Sequence, residues 1–177
     1  MEKIPVIIDC DPGHDDMVAL VLALGSQRLD VKAITNVAGN KVMEKVVKNT
    51  LNILNYCGAE CIVAPGASRP IVRAYTRTDS EGCHGVSGLD GFDFPRDNPL
   101  KPSDRKAGEV MADVLRNSRE KVVLIGTGPL TNLGLLIRTF PELCEEKVRC
   151  ISLMGGTCHF ILTRPFMEFN TYLDAEA

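Results

Sequence analysis

Four aspartates, Asp9, Asp11, Asp15 and Asp16, fall close together around a Pro12-Gly13 turn. That much negative charge at one point of a chain is costly unless a cation neutralises it, and carboxylates favour hard ions. With His14 as the one nitrogen ligand nearby, the pattern points to calcium or magnesium rather than zinc. Such a metal activates water: the cation lowers the pKa of its bound water, and an adjacent carboxylate takes the proton. Asp11 is the natural base. Helix capping by Asp15 or Asp16 and an Asx turn at Asp11 account for two of the four aspartates without a metal.

Further along, His84 lies in Cys83-His84-Gly85-Val86-Ser87-Gly88-Leu89-Asp90-Gly91, a glycine-rich loop able to fold over a substrate. Glu168-Phe169-Asn170 offers a carboxylate and an amide two positions apart, which on a strand would share one face and grip neighbouring hydroxyls. His159 has less context. No phosphate-binding loop ending in Gly-Lys-Ser or Gly-Lys-Thr occurs, and Gly126-Thr127-Gly128-Pro129 lacks the next glycine of a dinucleotide fingerprint.

The elements that must position these groups follow from periodicity. Pro5-Val6-Ile7-Ile8 reads as a buried strand closing at Asp9 to Gly13, followed by a helix apolar nearly all round from Met17 to Leu24 and expected to be buried. A strand at 31–37 precedes a helix whose stripe is Met43, Val47, Leu51 and Leu54, ended by Gly58. Strands are expected at 61–64, 122–125 and 150–154, and helices around Ala107, Val110, Met111 and Val114 and over 130–137. The stretch 65–103 has no sustained period, and loops of that size are often functional. Alternating strands and helices predict an α/β fold of Rossmann-like type, a mainly parallel sheet with helices on both faces. In such a fold the polar clusters at 9–16, 36–40, 127–132 and after 155 share the carboxyl ends of the strands, where one cleft could collect them.

Composition agrees with one globular domain spanning 1–177: 45% hydrophobic, 24% charged, net charge −3. The absence of a basic block or stripe argues against nucleic acid and against a polybasic membrane contact. No apolar run approaches the ~20 residues of a transmembrane helix, and no signal peptide opens the sequence. Seven cysteines, an odd number without tight metal-ligand pairs, suggest reduced thiols in a cytoplasmic protein and no zinc site.

At these residues the sequence resembles the inosine-uridine preferring nucleoside hydrolase family. Its diagnostic opening is present as Asp9-Cys10-Asp11-Pro12-Gly13-His14-Asp15-Asp16. Val37-Ala38-Gly39-Asn40, the His84 to Gly91 block, Thr127-Gly128-Pro129-Leu130-Thr131-Asn132, Met154-Gly155-Gly156, and Glu168-Phe169-Asn170 leading to Asp174 follow in order. The resemblance implies hydrolysis of the N-glycosidic bond of ribonucleosides to ribose and free base, with calcium holding both the attacking water and the ribose diol. By position, Asp11 would be metal ligand and general base, Asp16 a metal ligand, and Thr127 a ligand through its carbonyl. Asp15, Asn40, Glu168 and Asn170 would hold ribose hydroxyls, Met154 would line the sugar pocket, and His84 would lie near the substrate.

The resemblance also implies homo-oligomers, dimers or tetramers, acting on a small-molecule nucleoside. Two departures stand out. Leu162, in Ile161-Leu162-Thr163-Arg164-Pro165, replaces an amide that the family uses toward the sugar. Family members also continue further, supplying another aspartate ligand and commonly a histidine that assists the leaving base. The sequence therefore reads as the family's N-terminal part, and Asp174-Ala175-Glu176-Ala177 as the N-cap and first turn of a further helix. Two rivals are a truncated, catalytically inert member of the family and a magnesium-dependent phosphatase of haloacid-dehalogenase type using Asp9 and Asp11. Against the second, Pro12-Gly13 stands where such enzymes place Thr or Ser.

Overall fold

The structure, a computed structural model, describes residues 2–75, 84–156 and 168–177. Five parallel strands, β1 (Ile4–Cys10), β2 (Leu29–Asn36), β3 (Ile62–Pro65), β4 (Val122–Gly126) and β5 (Val148–Leu153), form one sheet in the order β3-β2-β1-β4-β5. The α/β expectation holds. β1 is apolar from Ile4 to Ile8, as befits a strand covered on both faces, and turns polar at Asp9 near its carboxyl end. Its side chains alternate: Val6 and Ile8 join a core with Leu20, Ile53 and Leu54, while Ile7 joins Met111, Leu115, Leu124 and Leu136 on the opposite side.

The helices follow from their punctuation. α1 (His14–Gly25) starts after Gly13, with Asp15 and Asp16 in the first turn, where the helix dipole favours negative charge. α2 (Met43–Cys57) ends at Gly58, whose φ of 59° is the left-handed conformation that glycine adopts freely. α3 (Ala107–Asn117) and α4 (Thr131–Thr139) pack with α5 (Pro141–Lys147) on the Ile7 side. α6 (Phe169–Leu173) is the last helix among the described residues.

Three expectations need correction. α1 is not buried all round: Leu20 faces the sheet, but Val18 is 59% exposed and Leu22 69%, because only one side of the helix meets the strands. Glu168 and Asn170 do not lie on a strand, since Glu168 caps α6 and Asn170 is within its first turn. Asp174 closes a helix, as the C-cap of α6, and its carboxylate accepts not from the residues that follow it but from the Thr131 hydroxyl (2.6 Å) and the Ile71 N–H (3.0 Å). Long-range hydrogen bonds there outweigh the local acidic pattern that suggested an N-cap. α5 leaves no periodic signal in the sequence, because seven residues are too few to show one. Among the described residues no helix is long and apolar enough to cross a membrane, and Cys10, Cys57, Cys61, Cys144 and Cys150 are free thiols.

Candidate active site

The strand order reverses direction at β1. β2 and β3 lie to one side and β4 and β5 to the other, so the crevice characteristic of doubly wound sheets opens beyond the carboxyl ends of β1 and β4. Asp11 stands at that point, immediately after β1, and Thr127 immediately after β4. The Thr127 N–H donates to the Asp9 carbonyl at 2.9 Å, stitching the two strand ends together.

Asp11 is 1% exposed. Its Oδ2 accepts the Asn40 N–H at 2.6 Å, and the Asn40 amide donates to the Asp11 carbonyl at 3.1 Å. Its Oδ1 is buried with no hydrogen-bond partner among the described residues. Burial, followed by the charge of Asp16, pushes the Asp11 carboxyl well above the usual range. Asp16 accepts the Thr127 hydroxyl at 2.5 Å and the Gly13 N–H at 3.2 Å; burial raises its pKa against those two bonds. Two buried aspartates thus stand together at this end of the sheet, with one carboxylate oxygen of Asp11 unpartnered.

Two glycines fit around that carboxylate. A Cβ on Gly39 would overlap Asp11 Oδ2, and one on Gly128 would come 2.6 Å from Asp11 Oδ1. Neither glycine has positive φ, so clearance, and not backbone conformation, requires them. Gly39→Ala should therefore displace Asp11 and cost about 1–3 kcal/mol through overpacking, read as a lower urea midpoint with an unchanged slope.

Beneath this pocket lies a second polar layer. Asp9, wholly buried and raised to about 7 chiefly by burial, accepts the Thr35 hydroxyl (2.5 Å) and the Asn132 amide (2.8 Å). Asn132 also donates to the Asn36 carbonyl (2.9 Å) and accepts the Ala67 N–H (2.8 Å). Both bonds to Asp9 fall on its Oδ1, while its Oδ2, like Asp11 Oδ1, is buried with no hydrogen-bond partner among the described residues. The supporting roles of Thr35 and Asn132 were not assigned from sequence. Asn132 belongs to the Thr127 to Asn132 motif, but only the fold shows what it holds.

The remaining predicted residues gather at the same end. Asn170 donates to the carbonyls of Thr127 (2.8 Å) and Met154 (3.0 Å), so it joins the ends of β4 and β5. Glu168 accepts the N–H groups of Asn170 and Thr171, each at 3.0 Å, and the Thr171 hydroxyl at 3.1 Å. A carboxylate accepts at about four lone-pair sites, so Glu168 keeps room for a hydroxyl. Met154 is half exposed beyond β5. Asp15 is exposed, and its Oδ1 lies 3.7 Å from His84 Nε2. His159 and Leu162 lie outside the described residues, as do Cys83 and Cys158.

For a metal, the residues fit in part. Asp11 Oδ1 is the kind of buried, unpartnered anionic oxygen that a cation stabilises. Asp11, Asp16 and the Thr127 carbonyl would hold a hard ion at the pocket. Among the described residues, however, no three His, Cys, Asp or Glu side chains converge as a metal cluster, and calcium takes about six to eight oxygens.

Known proteins resemble this chain in sequence and in fold. The chain is 46% identical over 175 residues to the pyrimidine-specific ribonucleoside hydrolase RihA of Klebsiella pneumoniae, an alignment covering 98% of this chain and 55% of that protein. It superposes on the purine-preferring ribonucleoside hydrolase from Gardnerella vaginalis with a TM-score of 0.88 at 30% identity, covering 97% of this chain and 55% of the other. A plant nucleoside hydrolase, PpNRh1, gives the same TM-score and identity, with 99% and 55% covered. The chain thus spans about half the length of the relatives it matches. A family model described as inosine-uridine preferring nucleoside hydrolase matches residues 6–177, from the first apolar strand through the aspartate pocket to α6, and the chain belongs to that family.

Proposed function

We propose that this polypeptide serves hydrolysis of the N-glycosidic bond of ribonucleosides, with pyrimidine nucleosides preferred and calcium as the metal. The observation that carries it is the Asp11 carboxylate: buried, framed by Gly39 and Gly128, with one oxygen unpartnered at the switch point of the sheet. The preference for pyrimidines rests on the relatives 45–46% identical, which are named pyrimidine-specific.

When bound by Asp11, Asp16 and the Thr127 carbonyl, calcium supplies a coordinated water of lowered pKa. Asp11 accepts the proton from the attacking water. Asp15, Asn40, Glu168 and Asn170 hold the ribose hydroxyls, Met154 lines the sugar pocket, and His84 lies at its mouth. Departure of the base leaves positive charge on the ribosyl ring, and the same carboxylates stabilise it. We place the protein in the cytoplasm, as a homo-oligomer, on the family resemblance and the free thiols.

The test is ribose release from uridine, cytidine and inosine, with calcium and with a chelator. We expect uridine and cytidine to be cleaved faster than inosine and chelation to reduce the rate at least about tenfold. No ribose from any nucleoside would sink the proposal for this chain. The incomplete ligand set favours one second reading, a folded but inert chain. Calorimetry separates the two: tight calcium binding argues against inertness.

A further inference from the structure

The segment 84–91 crosses the Asp11 turn and is tied down at several points. Leu89 is buried in the core formed with α1 and α2. Asn49 donates to the carbonyls of Pro12 (3.2 Å) and Ser87 (3.0 Å), and Lys45 donates to that of Val86 (3.0 Å). Asp90 organises the turn by accepting the N–H groups of Val86 and Ser87. These bonds hold the backbone of the segment but do not place His84.

His14 does so from the first turn of α1. Its Nε2 lies 2.9 Å from the Asp90 carbonyl, which can only accept, so Nε2 carries the proton and donates. His84 Nδ1 lies 3.2 Å from the His14 backbone nitrogen and 3.1 Å from His14 Nδ1, so the His84 imidazole is seated against both the backbone and the ring of His14. On its other side, His84 Nε2 lies 3.7 Å from Asp15 Oδ1. Gly13 completes the seat. A Cβ there would come 2.6 Å from His84 Nε2, while its φ of −103° is one that any residue adopts. The glycine is needed because the imidazole occupies that space.

We propose that His14 is a positioning residue that fastens the 84–91 segment at Asp90 and seats His84 over Gly13, setting how a nucleoside is covered at the mouth of the aspartate pocket. Its consequence for turnover rests on the nucleoside-hydrolase reading; the fastening does not.

The experiment compares wild type, His14→Ala, His14→Gln and Gly13→Ala by amide hydrogen exchange and by imidazole NMR, which the chain's three histidines keep simple. In His14→Ala, exchange at Val86, Ser87, Leu89 and Asp90 should quicken about tenfold or more without a change in melting temperature. The His84 ring resonance should move. Gly13→Ala should move the same resonance. His14→Gln, whose amide can still reach the Asp90 carbonyl, should restore slow exchange but not the His84 signal. With uridine, His14→Ala should raise KM about tenfold and leave kcat within about twofold. Unchanged exchange with an unmoved His84 resonance would overturn the inference, as would a fall in kcat at constant KM. A wild-type chain that releases no ribose would overturn the nucleoside-hydrolase reading alone, because exchange and NMR are read without substrate.

Discussion

Asp11→Asn should lower ribose release from uridine by about a thousandfold or more, while the melting temperature of the calcium-free protein at pH 8 holds or rises. Both halves come from the same geometry. The substitution removes the base and one anionic metal ligand, but the asparagine side-chain oxygen can still accept the Asn40 N–H. It also removes a carboxylate whose ionisation is opposed first by burial and then by Asp16. A site kept for chemistry at the expense of stability behaves in this way. Ribose assays and thermal melts on the same preparations check it: activity above about a tenth of wild type would remove Asp11 from the base role, and a sharp fall in melting temperature would show that its packing matters more than its charge.

The second large effect is a loss of stability as pH rises in the absence of metal. Asp9, Asp11 and Asp16 are all raised in the folded state, each chiefly by burial. A carboxyl with a folded pKa above its unfolded value binds more protons when folded, so its contribution is fully present below the unfolded pKa and declines as pH climbs through the folded one. For Asp9 the window runs from 3.8 to about 7. At 1.36 kcal/mol per pKa unit, that residue alone accounts for roughly 4 kcal/mol across the window. Asp90, lowered to about 2 by hydrogen bonds from Ser87 and Val86, acts in the opposite sense, but only below the ordinary carboxylate range.

Urea unfolding in chelator should therefore give a falling midpoint from pH 5 to pH 8. Calcium added at pH 8 should restore part of the loss, because binding to the folded state alone stabilises it. The recovery should be partial, since Asp9 lies beneath the pocket, engaged by Thr35 and Asn132. A flat profile over this range would mean that water reaches the three carboxylates and that burial does not set their pKa values.

Much of this was legible in the sequence because short-range chemistry carries it. Val6, Ile7 and Ile8 mark a strand buried on both faces, and Gly58 marks the end of α2. The grouping of Asp11 and Asp16 with Thr127, more than a hundred residues away, comes from the family resemblance and not from local chemistry; the fold brings the Thr127 hydroxyl onto Asp16. The misreadings occurred where a local signal competes with distant partners. Asp174 carries the local features of an N-cap, but Thr131 and Ile71 hold it at the other end of a helix. The apolar residues of α1 predict burial on every side, yet Val18 and Leu22 stay exposed because a helix lying on a sheet covers only one face.

The sequence by itself determined the five strands and the longer helices, the acidic character of the site and the family, since periodicity, turn residues and ordered motifs are properties of neighbours along the chain. Only the tertiary structure decided which oxygen of Asp11 is left unpartnered, why Gly13, Gly39 and Gly128 must lack a side chain, and that His14 reaches both Asp90 and His84. Those depend on through-space distances and on exclusion of water. Both arise when the strand ends are brought together, and spacing along the chain does not encode them.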